Sequence, residues 1–130
     1  MKKNKKGFSF IELIVVVTII AVLSVVGVVS YGAINKKSRD SRRISDLANM
    51  RMALEAMRQI GTTYPLDSSG LPVGLAPTYM EVLPKDPKSG SYFYTQLSSG
   101  YRYTIWAKME DLGSTTGDYG SGYNYQVNNP

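Results

Sequence analysis

Apolar and polar residues are sorted into blocks along this chain, and each block predicts a different element. From Leu13 to Ile34 the sequence reads LIVVVTIIAVLSVVGVVSYGAI, 22 uncharged residues dominated by Val, Ile and Leu. As a helix rising about 1.5 Å per residue this run is about 33 Å long, enough to cross a hydrocarbon layer of about 30 Å. It is several times the length of an ordinary strand, so the pattern predicts a membrane-crossing helix and not a buried strand. Thr18, Ser24 and Ser30 interrupt it, but hydroxyls in a helix can bond back to the carbonyls of the preceding turn. The next block, Lys36 to Arg43 (KKSRDSRR), is too polar for lipid and predicts a solvated or headgroup-facing collar. Beyond it Ile44, Leu47, Met50, Leu54 and Met57 recur at spacings of three and four, with Arg43, Asp46, Arg51, Glu55 and Arg58 mostly off that face. Gly61 then ends the helix. One helix is therefore expected from about Phe8 to Ile60, far longer than a usual globular helix.

After Gly61 the pattern changes. All six prolines and nine of the ten tyrosines lie in residues 61–130. Thr62–Thr78 reads as a loop, and Tyr79–Leu83 as one helical turn stopped by Pro84-Lys85-Asp86-Pro87. SYFYTQL (91–97) and YRYTIWAKM (101–109) are two β-rich runs joined by Ser98-Ser99-Gly100, which predicts an antiparallel hairpin. Tyr101, Tyr103, Ile105, Ala107 and Met109 share one face of the second run, and Tyr123–Val127 is a candidate third strand. A head of this size is marginal alone, so the sheet is expected to lie on the apolar stripe of the helix. The fold class is α+β: a long amino-terminal helix, transmembrane in its first half, packed against a small antiparallel sheet.

Composition narrows the chemistry. The chain has no Cys and no His, which removes disulfides, thiolate nucleophiles, most triads and most zinc sites. Phosphate-cradling and nucleophile-elbow motifs are absent from the sequence, so no enzyme and no catalytic residue is expected. The net charge of +5 suggests an anionic partner, yet Lys2, Lys3, Lys5 and Lys6 supply four of the 15 basic residues. Without them 11 basic side chains face 10 acidic ones. The cluster at 36–43 has no interleaved aromatic residues, so no specific nucleic acid is predicted. Calcium is the one cofactor with candidate ligands, Glu110, Asp111 and Asp118 in EDLGSTTGDYGSG. Calcium takes six to eight oxygens and these carboxylates supply part of that set, but the loop lacks an EF-hand register and reads better as a flexible Gly/Ser loop with no metal.

The segment Lys5-Lys6-Gly7-Phe8-Ser9-Phe10-Ile11-Glu12-Leu13-Ile14 resembles the amino-terminal signal of type IV pilins and pseudopilins. The resemblance implies that a prepilin peptidase cuts between Gly7 and Phe8, N-methylates Phe8, and leaves the apolar helix on the mature protein. An ordinary secretory signal fits less well, because the apolar run exceeds the usual h-region and no A-x-A-like site follows it. Gly7 has no side chain to obstruct a protease cleft. An ionised Glu12 inside a membrane costs about 2.5–3.5 kcal/mol at mid-span and so calls for a partner. The resemblance supplies one, the Phe8 amine of a neighbouring subunit. Many members carry a proline within the helix; here the first is Pro65, and Gly27 and Gly32 are the helix-weakening residues.

The implied organisation is a leader at 1–7, a transmembrane and assembly helix at 8–35, an amphipathic continuation at 36–60 and a β-rich head at 61–130. The Leu83-Pro84-Lys85-Asp86-Pro87 segment before an aromatic strand is similar to the major pseudopilins of type II secretion. The implied partners are copies of itself and other pilins, the peptidase, the membrane assembly machinery and the bilayer. The implied location is a single pass through the cytoplasmic membrane with the head outside, although flanking charge is nearly balanced and does not set orientation. The alternative is a single-span anchored protein whose head binds a ligand without polymerising.

Overall fold

The computed structural model describes residues 7–88, 90–111, 113 and 122–129, so Lys2, Lys3, Lys5 and Lys6 of the leader and Asp118 of the terminal loop lie outside the described residues. One helix, α1 (Phe10–Ile60), spans 51 residues, starting two residues later than the sequence pattern predicts. Its end is as expected: Gly61 N donates to Met57 O at 3.0 Å, and the residues directly after it are not helical. The chain divides into two compact units, residues up to Asn35 and residues from Lys36.

In the first unit, each described large apolar side chain from Phe8 to Ile34 is exposed, from 46% at Ile14 to 88% at Phe8. Polar atoms are better served. Thr18 Oγ1 donates to Val15 O (2.8 Å), Ser24 Oγ to Ile20 O (2.7 Å) and Ser30 Oγ to Val26 O (3.0 Å). With its hydroxyls satisfied within the helix, this segment meets the requirement that polar groups in hydrocarbon find internal partners. It is the one helix among the described residues long and apolar enough to cross a membrane.

In the second unit, Leu47, Met50, Ala53 and Leu54 of α1 are buried against Tyr64, Leu75, Tyr92, Tyr94, Tyr103, Ile105, Ala107 and Met109. The stripe differs from the expected one at its upper end. Ile44 is 39% exposed, whereas Asp40 and Arg43 are buried. The face that packs follows Asp40, Arg43, Leu47, Met50 and Leu54, at spacings of three and four. Ile44 lies beside that line. The expected solvated collar at 36–43 is found at Lys36, Lys37, Ser38, Ser41 and Arg42, which are exposed, and is corrected at Asp40 and Arg43, which the head covers because it brings acids and backbone amides to them.

Beyond the helix, β1 (Asp67–Ser68) and β2 (Leu71–Pro72) form a two-residue antiparallel ribbon inside what the sequence presents as a loop. The predicted turn at Tyr79–Leu83 is not helical. A single turn lies earlier, with Tyr79 N and Met80 N both donating to Leu75 O. Leu83 precedes Pro84, and a residue before proline is steered away from the helical region. The main sheet has the order β3 (Phe93–Leu97), β4 (Arg102–Ala107), β5 (Tyr125–Asn128), antiparallel throughout. Its register pairs Tyr94 with Ile105 and Ile105 with Val127, which sets these three on the inner face. Tyr101, expected on that face, is exposed. Gly100 closes the hairpin at φ +93°, where a Cβ would meet Thr63 Cβ at 2.7 Å. Its carbonyl accepts Tyr64 N at 2.7 Å.

Three tyrosines, Tyr64, Tyr92 and Tyr103, are placed with ring in and hydroxyl toward the helix, whereas Tyr94 Oη donates to Pro65 O at 2.7 Å. Tyr92 Oη donates to Asp46 Oδ2 (2.7 Å), and Tyr103 Oη to Glu55 Oε1 (3.1 Å). Tyr64 Oη accepts from Arg58 and donates to Glu55 at 2.9 Å, and its ring meets Tyr103 edge-on at 4.5 Å. Burial raises the Tyr92, Tyr94 and Tyr103 hydroxyls well above the ordinary tyrosine range.

Candidate processing and assembly site

Gly7, Phe8 and Ser9 precede the helix in non-helical conformation. The first intrahelical bond runs from Leu13 N to Ser9 O at 3.3 Å, and Ser9 N donates to Glu12 Oε2 at 2.8 Å. Ser9 is thus the cap residue, and Glu12, three positions on, reaches back to its amide. This is the carboxylate half of a capping box, and Ser-x-x-Glu before an apolar run is its sequence signature. The sequence reading took Glu12 as a carboxylate in need of a partner and missed the local one. A carboxylate in the first turn is also favoured by the helix dipole.

Gly7 has no structural reason to be glycine: a Cβ there would meet nothing within 4 Å. Phe8 is almost wholly exposed. The two residues flanking the expected scissile bond are therefore held by nothing else in the described chain. Their identities point outward, to whatever handles this end.

A second polar constellation, unforeseen in the sequence, lies where the helix enters the second unit. Arg43 is forked onto Asp86, with Nε to Oδ2 at 2.6 Å and Nη2 to Oδ1 at 2.9 Å. Its third nitrogen reaches Asp40 Oδ1 at 2.6 Å and Glu110 Oε1 at 3.1 Å. Glu110 also takes a two-pronged bond from Arg39 at 2.7 and 2.8 Å, and one from Lys88 at 3.2 Å. Asp40 accepts the backbone N–H groups of Glu110 and Asp111. Three basic and three acidic side chains balance here, and Arg43 is only 3% exposed. The guanidinium bonds hold Asp86 down to about 2, and Arg39 foremost holds Glu110 well below the usual carboxylate range. The fork on Asp86 foremost raises Arg43 further.

Of the calcium candidates, Glu110 is thus engaged by three cations, and Asp111 Oδ1 accepts Gly113 N at 3.1 Å. No group of three or more acids that could hold a metal ion occurs among the described residues.

The description "prokaryotic N-terminal methylation motif" matches residues 2–28. The chain carries that motif. It is the class III signal of type IV pilins and pseudopilins. The match takes in Gly7, Phe8, Glu12 and the apolar run as far as Val28, and stops short of the head. It implies processing by prepilin peptidase. Together with the long apolar helix it fits a membrane-anchored protein. No curated protein and no solved structure matches the chain.

Proposed function

We propose that this protein is a structural subunit of a type IV pilus or type II secretion pseudopilus. The peptidase cuts between Gly7 and Phe8 and methylates the Phe8 amine. The apolar half of α1 is stored in the cytoplasmic membrane with the head outside, and then buried among other subunits. The observation that carries this reading is the apolar segment from Phe8 to Ile34, whose described large apolar side chains are exposed and which the methylation motif overlaps as far as Val28. An apolar surface of that extent does not stay in water. A membrane and a bundle of like helices both cover it, and exchange between them costs little because lipid tails and Leu or Val side chains are similarly apolar. Glu12 pairs with the Phe8 amine of a neighbour as the subunit enters the filament. Between the two machines, the Leu83–Pro87 segment favours the pseudopilus.

Intact-mass measurement of membrane-extracted protein tests the processing. A chain beginning at N-methyl-Phe8 is expected; an uncut amino terminus would refute it. Cross-linking of the membrane-extracted protein at cysteines introduced along Leu13–Ile34 tests polymerisation. Ladders of three or more subunits are expected, and a monomer alone contradicts assembly.

A further inference from the structure

We propose that a lysine-lined cleft in the second unit binds the headgroup phosphate of an anionic membrane lipid. This rests on the membrane-anchored reading above. The cleft encloses about 560 Å³ and is lined by Lys36, Arg43, Asp86, Lys88, Lys108 and Glu110, with Gly90 and Met109. That volume falls in the range of about 300–1,000 Å³ typical of small-molecule sites.

Its charge is unbalanced in a specific way. The two carboxylates in the lining are already committed, Asp86 to the Arg43 fork and Glu110 to Arg39, Arg43 and Lys88. Lys36 and Lys108 line the same cleft and have no carboxylate partner among the described residues. Lys36 and Lys108 thus add positive charge to a cleft whose carboxylates are already neutralised. Lysine is a compact point charge, suited to a phosphodiester that presents oxygens in several directions.

The position of Lys36 selects lipid as the source. It follows Ile34, the last residue of the apolar run, by two positions, a rise of about 3 Å along a helix. When residues 13–34 lie in hydrocarbon, Lys36, two positions further along the chain, is within reach of the headgroups. Basic residues at that depth favour anionic over zwitterionic lipid. A carboxylate of a neighbouring subunit is the competing occupant, but the cleft has its lipid contact before any assembly.

The test uses the full chain extracted from membranes and offered equal amounts of phosphatidylglycerol and phosphatidylcholine, read by native mass spectrometry. The wild type is expected to retain phosphatidylglycerol about thirtyfold over phosphatidylcholine, the ratio given by two lysines near an anionic surface. Lys36→Gln/Lys108→Gln should bring the ratio to parity, Lys36→Arg/Lys108→Arg should keep it, and Lys37→Gln, next in the chain but outside the cleft lining, should leave it unchanged. Parity in the wild type, or equal loss from Lys37→Gln, overturns the proposal. Displacement of the lipid by the same concentration of inorganic phosphate overturns the lipid source. Parity in the wild type with poor filament yield from the double Gln variant assigns the cleft to a neighbouring subunit and also overturns it. Anchoring is read separately: a chain that washes off membranes at high pH removes the functional reading itself, whereas an anchored chain at parity removes only the cleft.

Discussion

One oxygen of Glu12 accepts the Ser9 amide at 2.8 Å in the isolated chain, so the residue has a local role besides any role between subunits. The two are separable by substitution. Glu12→Ala removes both, and should still be cleaved while entering filaments poorly. Glu12→Gln retains an acceptor oxygen for Ser9 but no charge. If pairing with a neighbour's amine is what assembly needs, Gln fails as Ala does; filament yield restored by Gln would assign the defect to the cap. Arg43 is the other residue on which much depends. Arg43→Met leaves Asp40, Asp86 and Glu110 without their shared cation, and removing one partner from a buried ionic cluster costs about 3–5 kcal/mol. Urea unfolding in detergent, followed by near-UV circular dichroism, is expected to show a loss of this order, with Arg43→Lys intermediate because it cannot fork. The register of Gly7, Phe8 and Glu12 was legible because it is local and unusual. Arg43 was not, since its charge pattern reads as a solvated face. Its partners lie 43 and 67 residues away, and nothing in a linear pattern says that they converge.

The elements themselves were largely visible. Period-3.6 spacing gave the lower helix stripe, alternation gave β3 and β4, and the Ser-Ser-Gly linker gave the hairpin. The ribbon of β1 and β2 escaped because two-residue strands have no period to detect. Tyrosine enrichment was legible as composition but not as a device: the rings of Tyr64, Tyr92 and Tyr103 fill core, and their hydroxyls reach carboxylates on the flank of α1. Tyr103→Phe keeps the ring and loses the bond to Glu55, which should cost about 1 kcal/mol. Gly100→Ala is expected to cost more, about 1–3 kcal/mol, because it adds a Cβ at φ +93° against Thr63. Comparison of the two midpoints in urea checks the order; equal or reversed losses would contradict the packing described at the hairpin.

For the molecule as a whole, the two kinds of polar contact set opposite edges of a pH window. Asp86 and Glu110 have depressed folded values, so their stabilisation is present above the ordinary carboxylate range and fades as pH falls below about 4. Tyr92, Tyr94 and Tyr103 have raised values, so theirs is present below about pH 10 and is lost as pH rises beyond it. Thermal unfolding of the full chain in detergent should show a plateau between these edges, and Arg43→Met should weaken the acid-side slope. Tyrosinate absorbance that rises only with unfolding would check the alkaline edge. A midpoint that climbs on acidification would contradict the fork.

The Arg43 fork also fixes where the chain can be cut. Biochemists who want a water-soluble head will remove the apolar segment, and the amphipathic stripe invites a start at Ile44. That fragment discards Arg39, Asp40 and Arg43 and leaves Asp86 and Glu110 stripped of their guanidinium partners. A fragment starting at Lys36 carries the whole cluster. The longer fragment is expected to unfold at clearly higher urea at neutral pH, with the gap narrowing in acid, where the orphaned carboxylates pick up protons.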